Sequence, residues 1–274
     1  MRGEPGGTTG AMTQSAVSLL REDPELGKGL APADLAAARR TLIAPAVKLE
    51  PGPWDWADEG PRDGPPTASM LVLEGLLLSE IVLAGCPSAE LIGPGDVLPP
   101  PARSRNADTL LPVDVTLTVL EPARVALLDE RFQLACAHWP PVALALFERM
   151  EQRGWRLAKQ AAICHLPAVH SRLLALFWHL ADRWGKVTPD HLLLPLRILH
   201  RTLGEMVGAE RSTVSLALRQ LSDAGLVTRR PDGAWLLSGD PSTGLELLTD
   251  RCCPRPASFV GTGAADRAQV RFQR

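Results

Sequence analysis

The segment from residue 201 to residue 235 constrains the fold of this chain more than any other part of the sequence. Apolar residues recur there with spacings of three and four, first over residues 203–207 and again over residues 214–221. Such spacing predicts two short amphipathic helices. Gly208 lies between them, and glycine tolerates the backbone conformations that a sharp turn between helices requires. The pattern therefore predicts a helix-turn-helix.

A short hairpin is predicted directly after the second helix. Gly225 ends the helical pattern, and two apolar runs then flank an Asp-Gly pair at Asp232 and Gly233. An Asp-Gly pair between two such runs is typical of a two-stranded β-hairpin. Two helices followed by a hairpin make a winged helix, for which the alternative is a generic helical bundle with solvated arginines.

The second helix has a polar face that suits DNA. Arginine and hydroxyl side chains match phosphate oxygens and the edges of bases in a major groove. Residues 197–230 hold six arginines and three acidic residues, so this segment is basic although the whole chain has a formal net charge of −2. Local basic charge is what a DNA-reading module shows. The polar face comprises Arg211, Ser212, Ser215 and Arg219, and Thr213 lies in the first turn, where the helix N-terminus favours a phosphate.

This segment resembles the winged-helix domain of the Crp/Fnr family of bacterial transcription regulators. The likeness extends from about residue 169 to about residue 237 and includes Val207, Gly208, Arg211, Thr213, Val214, the apolar stripe to Leu221, Gly225 and Leu226. Residues 172–185 are similar to the family's helix that leads into the DNA-binding domain. The resemblance implies an α+β fold with an N-terminal antiparallel, jelly-roll-like β-roll, a long dimerisation helix and a C-terminal winged helix-turn-helix.

The sequence predicts five consecutive parts. They are a disordered tail at 1–16, the β-roll at 17–138, the dimerisation helix at 139–166, the winged helix-turn-helix at 167–240 and a mostly disordered tail at 241–274. Short apolar runs separated by Gly and Pro predict the strands of the roll, including an alternating strand at 113–120. Residues 142–165 have a helical pattern, and a helix packed only on its own domain is the alternative to a dimer interface. A two-fold dimer is favoured because DNA half-sites need two winged helices.

The resemblance also implies which residues contact DNA. Arg211 matches the family's base-reading arginine, whereas Ser212 stands where a glutamate is common and Leu216 where an arginine is often found. Leucine offers a base only apolar contact, for instance with a thymine methyl group. The predicted contacts are His200, Arg201, Arg211, Ser212, Thr213, Ser215, Leu216, Arg219 and Arg229. The expected partners are double-stranded DNA and a second copy of the chain, with RNA polymerase as a further candidate.

The predicted roll lacks the residues with which the family binds a cyclic nucleotide. The family has a Gly-Glu pair and then Arg-Ser-Ala, whereas this chain has Gly-Pro-Gly-Asp at 93–96 and Asp114 where the arginine is expected. A carboxylate repels the phosphate that an arginine would bind. We therefore predict weak or no binding of cAMP, unless Arg103 and Ser104 replace the missing pair. No cofactor is predicted, and the roll either binds another small-molecule effector or serves as a scaffold.

Other kinds of chemistry find little support in the sequence. It has no nucleophile-elbow, zinc-protease, phosphate-loop or Cys-x-x-Cys motif, so we expect no enzyme and no metal site. Cys164, His165 and His170 are a grouping that is more often structural or incidental than a zinc site. Five scattered cysteines, no long apolar run and no secretory signal indicate a cytoplasmic protein. The alternative function is a winged helix that binds protein or acts as a scaffold.

Overall fold

The computed structural model describes residues 14–54, 69–99 and 110–240. The described residues form two compact units, one within 1–164 and 199–211 and the other within 165–198 and 212–274. The first unit is rich in strands, and the second combines helices with a small sheet. The predicted α+β class is therefore confirmed. Among the described residues, no helix is long and apolar enough to cross a membrane.

A seven-stranded antiparallel sheet makes up most of the first unit. Its strands are β1 Gln14–Ser18, β2 Ile43–Leu49, β3 Gly52–Trp54, β4 Ser69–Leu83, β5 Cys86–Ile92, β6 Val97–Leu98 and β7 Asp114–Leu128. Neighbouring strands follow the order β1-β2-β7-β4-β5, while β3 pairs with β7 and β6 with β4. The expectation of a disordered tail through residue 16 is wrong at its end, because Gln14 pairs with Val47 and Ala16 with Pro45.

Strands β4 and β7 are long and bent, and they connect two apolar cores. Their register shifts around Gly75, which has a φ of +91°. A Cβ atom there would lie 2.4 Å from the carbonyl oxygen of Pro122, so the close approach of the two backbones requires glycine. The sequence predicts separate runs at 113–120 and 124–129, but the structure joins them as the single strand β7. One core includes Leu71 and Leu128, and the other includes Val72 and Leu127, so adjacent residues of each strand point into different cores.

Helices flank the sheets in both units. Those of the first unit are α1 Leu19–Glu22, a 3-10 helix Pro24–Gly27, α2 Pro32–Thr41, α3 Glu130–Cys136, α4 Pro140–Cys164 and, later in the chain, α6 His200–Val207. The carboxylate of Asp129 caps α3 by accepting a hydrogen bond of 2.9 Å from the backbone N–H of Phe132. Helix α4 has 25 residues and confirms the helix that the apolar spacing predicts over 142–165.

The second unit holds α5 Val169–Trp184, nearly all of α7 Arg211–Asp223, and a four-stranded antiparallel sheet. The sheet strands are β8 Lys186–Val187, β9 Leu192–Leu194, β10 Val227–Arg229 and β11 Trp235–Leu237, in the order β10-β11-β9-β8. The predicted hairpin of β10 and β11 is confirmed, whereas β8 and β9 are too short to be predicted from periodicity. The buried rings of Phe177 and Trp235 lie 4.8 Å apart and join α5 to the sheet.

Candidate nucleic-acid interface

Helix α7 has one buried face and one exposed face. Val214, Ala217, Leu218 and Leu221 are buried, as the spacing of three and four predicted. The exposed residues include the six of this helix for which DNA contact is predicted: Arg211, Ser212, Thr213, Ser215, Leu216 and Arg219. Because the apolar stripe fixes the rotation of the helix, the side chains that can bind phosphate and base edges all point outward together.

Glycines end both helices of the predicted motif. Gly208 has a φ of +64°, and α6 ends there with the N–H of Ala209 donating to the carbonyl of Gly204 at 2.9 Å. Gly225 has a φ of +70° after α7, and the N–H of Leu226 donates to the carbonyl of Leu221 at 3.0 Å. Left-handed glycines that close a helix with such hydrogen bonds are common C-terminal caps. These glycines therefore set where α6 ends and where α7 gives way to the hairpin.

The hairpin after α7 carries the exposed Arg229, whose side chain is restricted by a neighbouring ring. The turn between β10 and β11 is closed by the N–H of Arg230, which donates to the carbonyl of Ala234 at 2.8 Å, and by the N–H of Ala234, which donates to Asp232 at 3.0 Å. The guanidinium of Arg229 lies over the ring of Trp235 at 5.4 Å from its centroid. This cation–π contact limits the positions that the exposed Arg229 can take.

His200 and Arg201 are placed differently from the other predicted contacts. Both lie in the first turn of α6, which belongs to the first compact unit and packs against β5 and α4. The Nε of Arg201 is 2.7 Å from Oε1 of the buried Glu205, and this hydrogen bond raises the pKa of Arg201. Arg201 is thus already ion-paired, and any phosphate must compete with a carboxylate for it.

Gln160 ties the end of α6 to the sheet. Its buried Nε2 donates to the carbonyl oxygen of Ala89 on β5 at 2.7 Å and to that of Met206 on α6 at 3.2 Å. The Sγ of Cys164 also donates to Met206, at 3.4 Å. Among the described residues, no group of three or more His, Cys, Asp or Glu side chains is placed to hold a metal ion. Cys164 therefore helps to hold the end of α6 in place through this hydrogen bond.

Glu80 forms a carboxyl pair with Glu205. The structure places Glu80 on β4 with its side chain hydrogen-bonded to that of Glu205. Burial first, and then the charge of Glu205, raise the pKa of Glu80 above its ordinary value of 4.5, while Arg201 opposes the shift. The raised pKa means that the folded protein favours the uncharged form of Glu80.

We expect the Glu80→Gln variant to lose part of the pH dependence of folding. Because the folded-state pKa of Glu80 is raised, its contribution to stability is fully present below pH 4.5 and is lost as the pH rises through the folded-state pKa. Glutamine cannot ionise. The free energy of unfolding of the variant should therefore increase relative to that of the wild type as the pH rises from 4.5 toward neutrality. Urea unfolding at several pH values measures this difference. The exposed substitution Glu121→Gln serves as the control, and parallel profiles for all three proteins would contradict the expectation.

Three arginines line the inner face of α4. Arg149 pairs with Asp23, Arg153 with Glu90 at 2.7 Å and Arg156 with Asp96. The three acids come from the start of the 3-10 helix, from β5 and from the turn at 93–96, so the pairs link α4 to separate parts of the roll. This set was missed by sequence reasoning, although arginines spaced four and three apart are a signal for one helical face.

Asp96 stabilises the turn at residues 93–96, which stands where the family has its Gly-Glu pair. It is only 2% exposed, and its Oδ2 accepts a hydrogen bond of 2.9 Å from the N–H of Gly93. Its other oxygen pairs with Arg156. Asp96 is therefore a buried structural carboxylate within this turn. Asp114 is exposed at the start of β7, whereas Arg103 and Ser104 lie outside the described residues.

Comparison with known proteins finds a family match in one segment of the chain. Residues 171–238 match the family model of the Crp-like helix-turn-helix domain. None of the curated proteins matches the chain in sequence.

Solved structures extend the similarity to most of the chain. A CooA mutant from Carboxydothermus hydrogenoformans is 16% identical with a TM-score of 0.57, over 74% of this chain and 87% of the other. FixK2 from Bradyrhizobium japonicum is 17% identical with a TM-score of 0.56, over 75% and 96%. A CRP-family transcriptional regulator from Thermus thermophilus is 16% identical with a TM-score of 0.51, over 73% and 94%. The chain thus has the fold of Crp/Fnr regulators, as the resemblance of its sequence implied. Residues 171–238 form a Crp-like helix-turn-helix domain.

Proposed function

We propose that this chain is a transcription regulator that binds a palindromic DNA operator as a homodimer. The observation that carries the proposal is the division of α7 into a buried apolar face and an exposed face of arginine and hydroxyl side chains. A helix of 13 residues so arranged fits a major groove, where its N-terminal residues reach base edges. Arg229 at the hairpin is suited to the adjacent phosphates, because arginine binds phosphate oxygens with several donors.

The exposed face of α4 supports the homodimer. Apolar side chains stay exposed along the helix, although its inner face is occupied by arginines that pair with the roll. The large apolar residues exposed on α4 are Leu144, Phe147, Met150, Trp155 and Leu157. Together these side chains form the apolar strip of α4, and so many large exposed apolar residues on one helix are uncommon on a monomer surface and typical of a protein contact. A second copy packed on this strip would carry a second α7, and we expect half-sites about 34 Å apart.

Arg211 and Thr213 test the assignment of DNA contacts. We expect Arg211→Ala to weaken binding to the operator by about 1–3 kcal/mol and to relax one position in each half-site, because arginine donates two hydrogen bonds to guanine. Thr213→Ala should weaken all sequences alike, because a phosphate contact carries no sequence information. Fluorescence anisotropy with an operator selected from a random pool, and with a shuffled duplex, measures both. An equal loss on both duplexes for Arg211→Ala would make Arg211 a phosphate contact.

A winged helix that binds protein is the competing function. DNA binding releases counterions from the duplex, so affinity for DNA or heparin should fall steeply as salt rises. An apolar protein contact lacks this dependence. Retention on heparin at increasing salt therefore separates the two functions, and the arginine and hydroxyl face of α7 favours DNA.

The effector of this regulator is proposed to differ from cAMP. Asp114 stands where the resemblance places an arginine, and its exposed carboxylate would repel a cyclic phosphate. The inner face of α4 adds to this, since Arg149, Arg153 and Arg156 are each paired with a carboxylate of the chain itself. These arginines hold α4 on the roll and are charge-balanced without a bound anion.

A further inference from the structure

Leu216 occupies an unusual position on α7. An α-helix turns about 100° per residue, which places Leu216 about 150° from the centre of the buried stripe formed by Val214, Ala217, Leu218 and Leu221. It is therefore nearly opposite the core, and its side chain is 59% exposed. Every other exposed residue of α7 is polar or charged, including its neighbours Ser212, Arg219 and Gln220. A single leucine thus stands at the middle of a polar face.

We propose that Leu216 determines part of the sequence specificity by packing against the methyl group of a thymine in each half-site. The inference rests on the proposed function, since it requires α7 to lie in a major groove. The edges of the bases there present hydrogen-bond donors and acceptors, and the thymine C5-methyl group is the apolar exception. Leucine has no donor or acceptor with which to meet the other groups, and it would leave them desolvated and unpaired. A thymine at that position is consequently preferred over cytosine, which lacks the methyl group and presents an amino donor in place of the O4 carbonyl.

The effect of one methyl group sets the scale of the test. Burial of a single methylene-sized group changes an equilibrium constant by about fourfold, and two symmetric half-sites together by about fifteenfold. Replacing thymine by deoxyuridine removes the methyl group and keeps all the hydrogen bonds of the base pair. This substitution therefore isolates the apolar contact from hydrogen-bond readout.

The experiment uses the full chain and an operator selected from random duplexes. Each thymine of one half-site is replaced by deoxyuridine in turn, and then the symmetric pair together. We expect one position per half-site to lose about fourfold in affinity, and the pair about fifteenfold. The Leu216→Ala variant should bind the natural operator more weakly and should no longer distinguish thymine from deoxyuridine at that position. Gln220→Ala, four residues further along the same exposed face and outside the predicted DNA contacts, should keep the discrimination.

Two results would overturn the inference while leaving the proposed function intact. One is an operator on which no deoxyuridine replacement alters wild-type affinity, which would make Leu216 a solvated surface residue. The other is an unchanged deoxyuridine penalty in Leu216→Ala, which would assign the methyl contact to another residue. Failure of the random pool to yield any bound duplex would instead contradict the proposed function. Circular dichroism of Leu216→Ala confirms that a loss of discrimination does not come from unfolding.

Discussion

Replacing Arg156 with methionine should lower the free energy of unfolding by about 3 kcal/mol. The substitution leaves the carboxylate of Asp96, which is 2% exposed, without the guanidinium that compensates its burial. Removing one partner of a buried pair costs about 3–5 kcal/mol. We expect the lower end of this range because the Arg156 side chain is 29% exposed and because Asp96 keeps its hydrogen bond from Gly93. Urea unfolding followed by circular dichroism measures the change.

A surface ion pair supplies the matched control for Arg156. The Nζ of Lys28 lies 2.5 Å from Oε2 of Glu25, but the two side chains are 72% and 63% exposed. Such a pair contributes at most about 1 kcal/mol, so Lys28→Met should change stability little. Combining Arg156→Met with Asp96→Asn should recover part of the loss, because asparagine is uncharged and still accepts from the N–H of Gly93. Equal stability of Arg156→Met and Lys28→Met would show that the buried pair is not a structural anchor.

Replacing Phe147 with glutamate should weaken the proposed homodimer by at least about a hundredfold. Phe147 is 63% exposed in the middle of the apolar strip of α4, and a second copy packed on the strip would bury it. A buried glutamate without a partner costs several kcal/mol, and removal of an aromatic anchor alone often costs about 2 kcal/mol or more. Sedimentation equilibrium measures the dissociation constant. The variant should also bind a single half-site no more weakly than the wild-type monomer does.

Leu134→Glu controls for the introduction of a charged residue at an exposed apolar site. Leu134 is 64% exposed, almost the same as Phe147, but it lies on α3 rather than on the strip of α4. Dimerisation of this variant should match that of the wild type. A wild-type protein that is monomeric at micromolar concentration would remove the proposed dimer. An equal effect of the two substitutions would place the interface elsewhere.

The helix-turn-helix was predictable because its signals are local. The spacing of Val214, Leu218 and Leu221 fixes which face of α7 is buried, and the exposed arginines and hydroxyls follow from that spacing alone. The hairpin was predictable for the same reason, since its turn residues Asp232 and Gly233 lie between its own two strands. The assignment of individual DNA contacts stays a prediction.

The sequence by itself determined the helical periodicities, the turn glycines and the basic polar face of α7. Each of these features depends only on residues within about one or two helical turns of one another in the sequence. Only the tertiary structure decided which charged residues are structural. Arg149 and Asp23 are 126 positions apart, and Arg156 and Asp96 are 60 apart. The same holds for the pairing of Glu80 with Glu205, and for Arg201, which is ion-paired although its sequence position suggests DNA contact. Burial and long-range pairing set the free energy of a charge, and neither is encoded in the spacing of its neighbours.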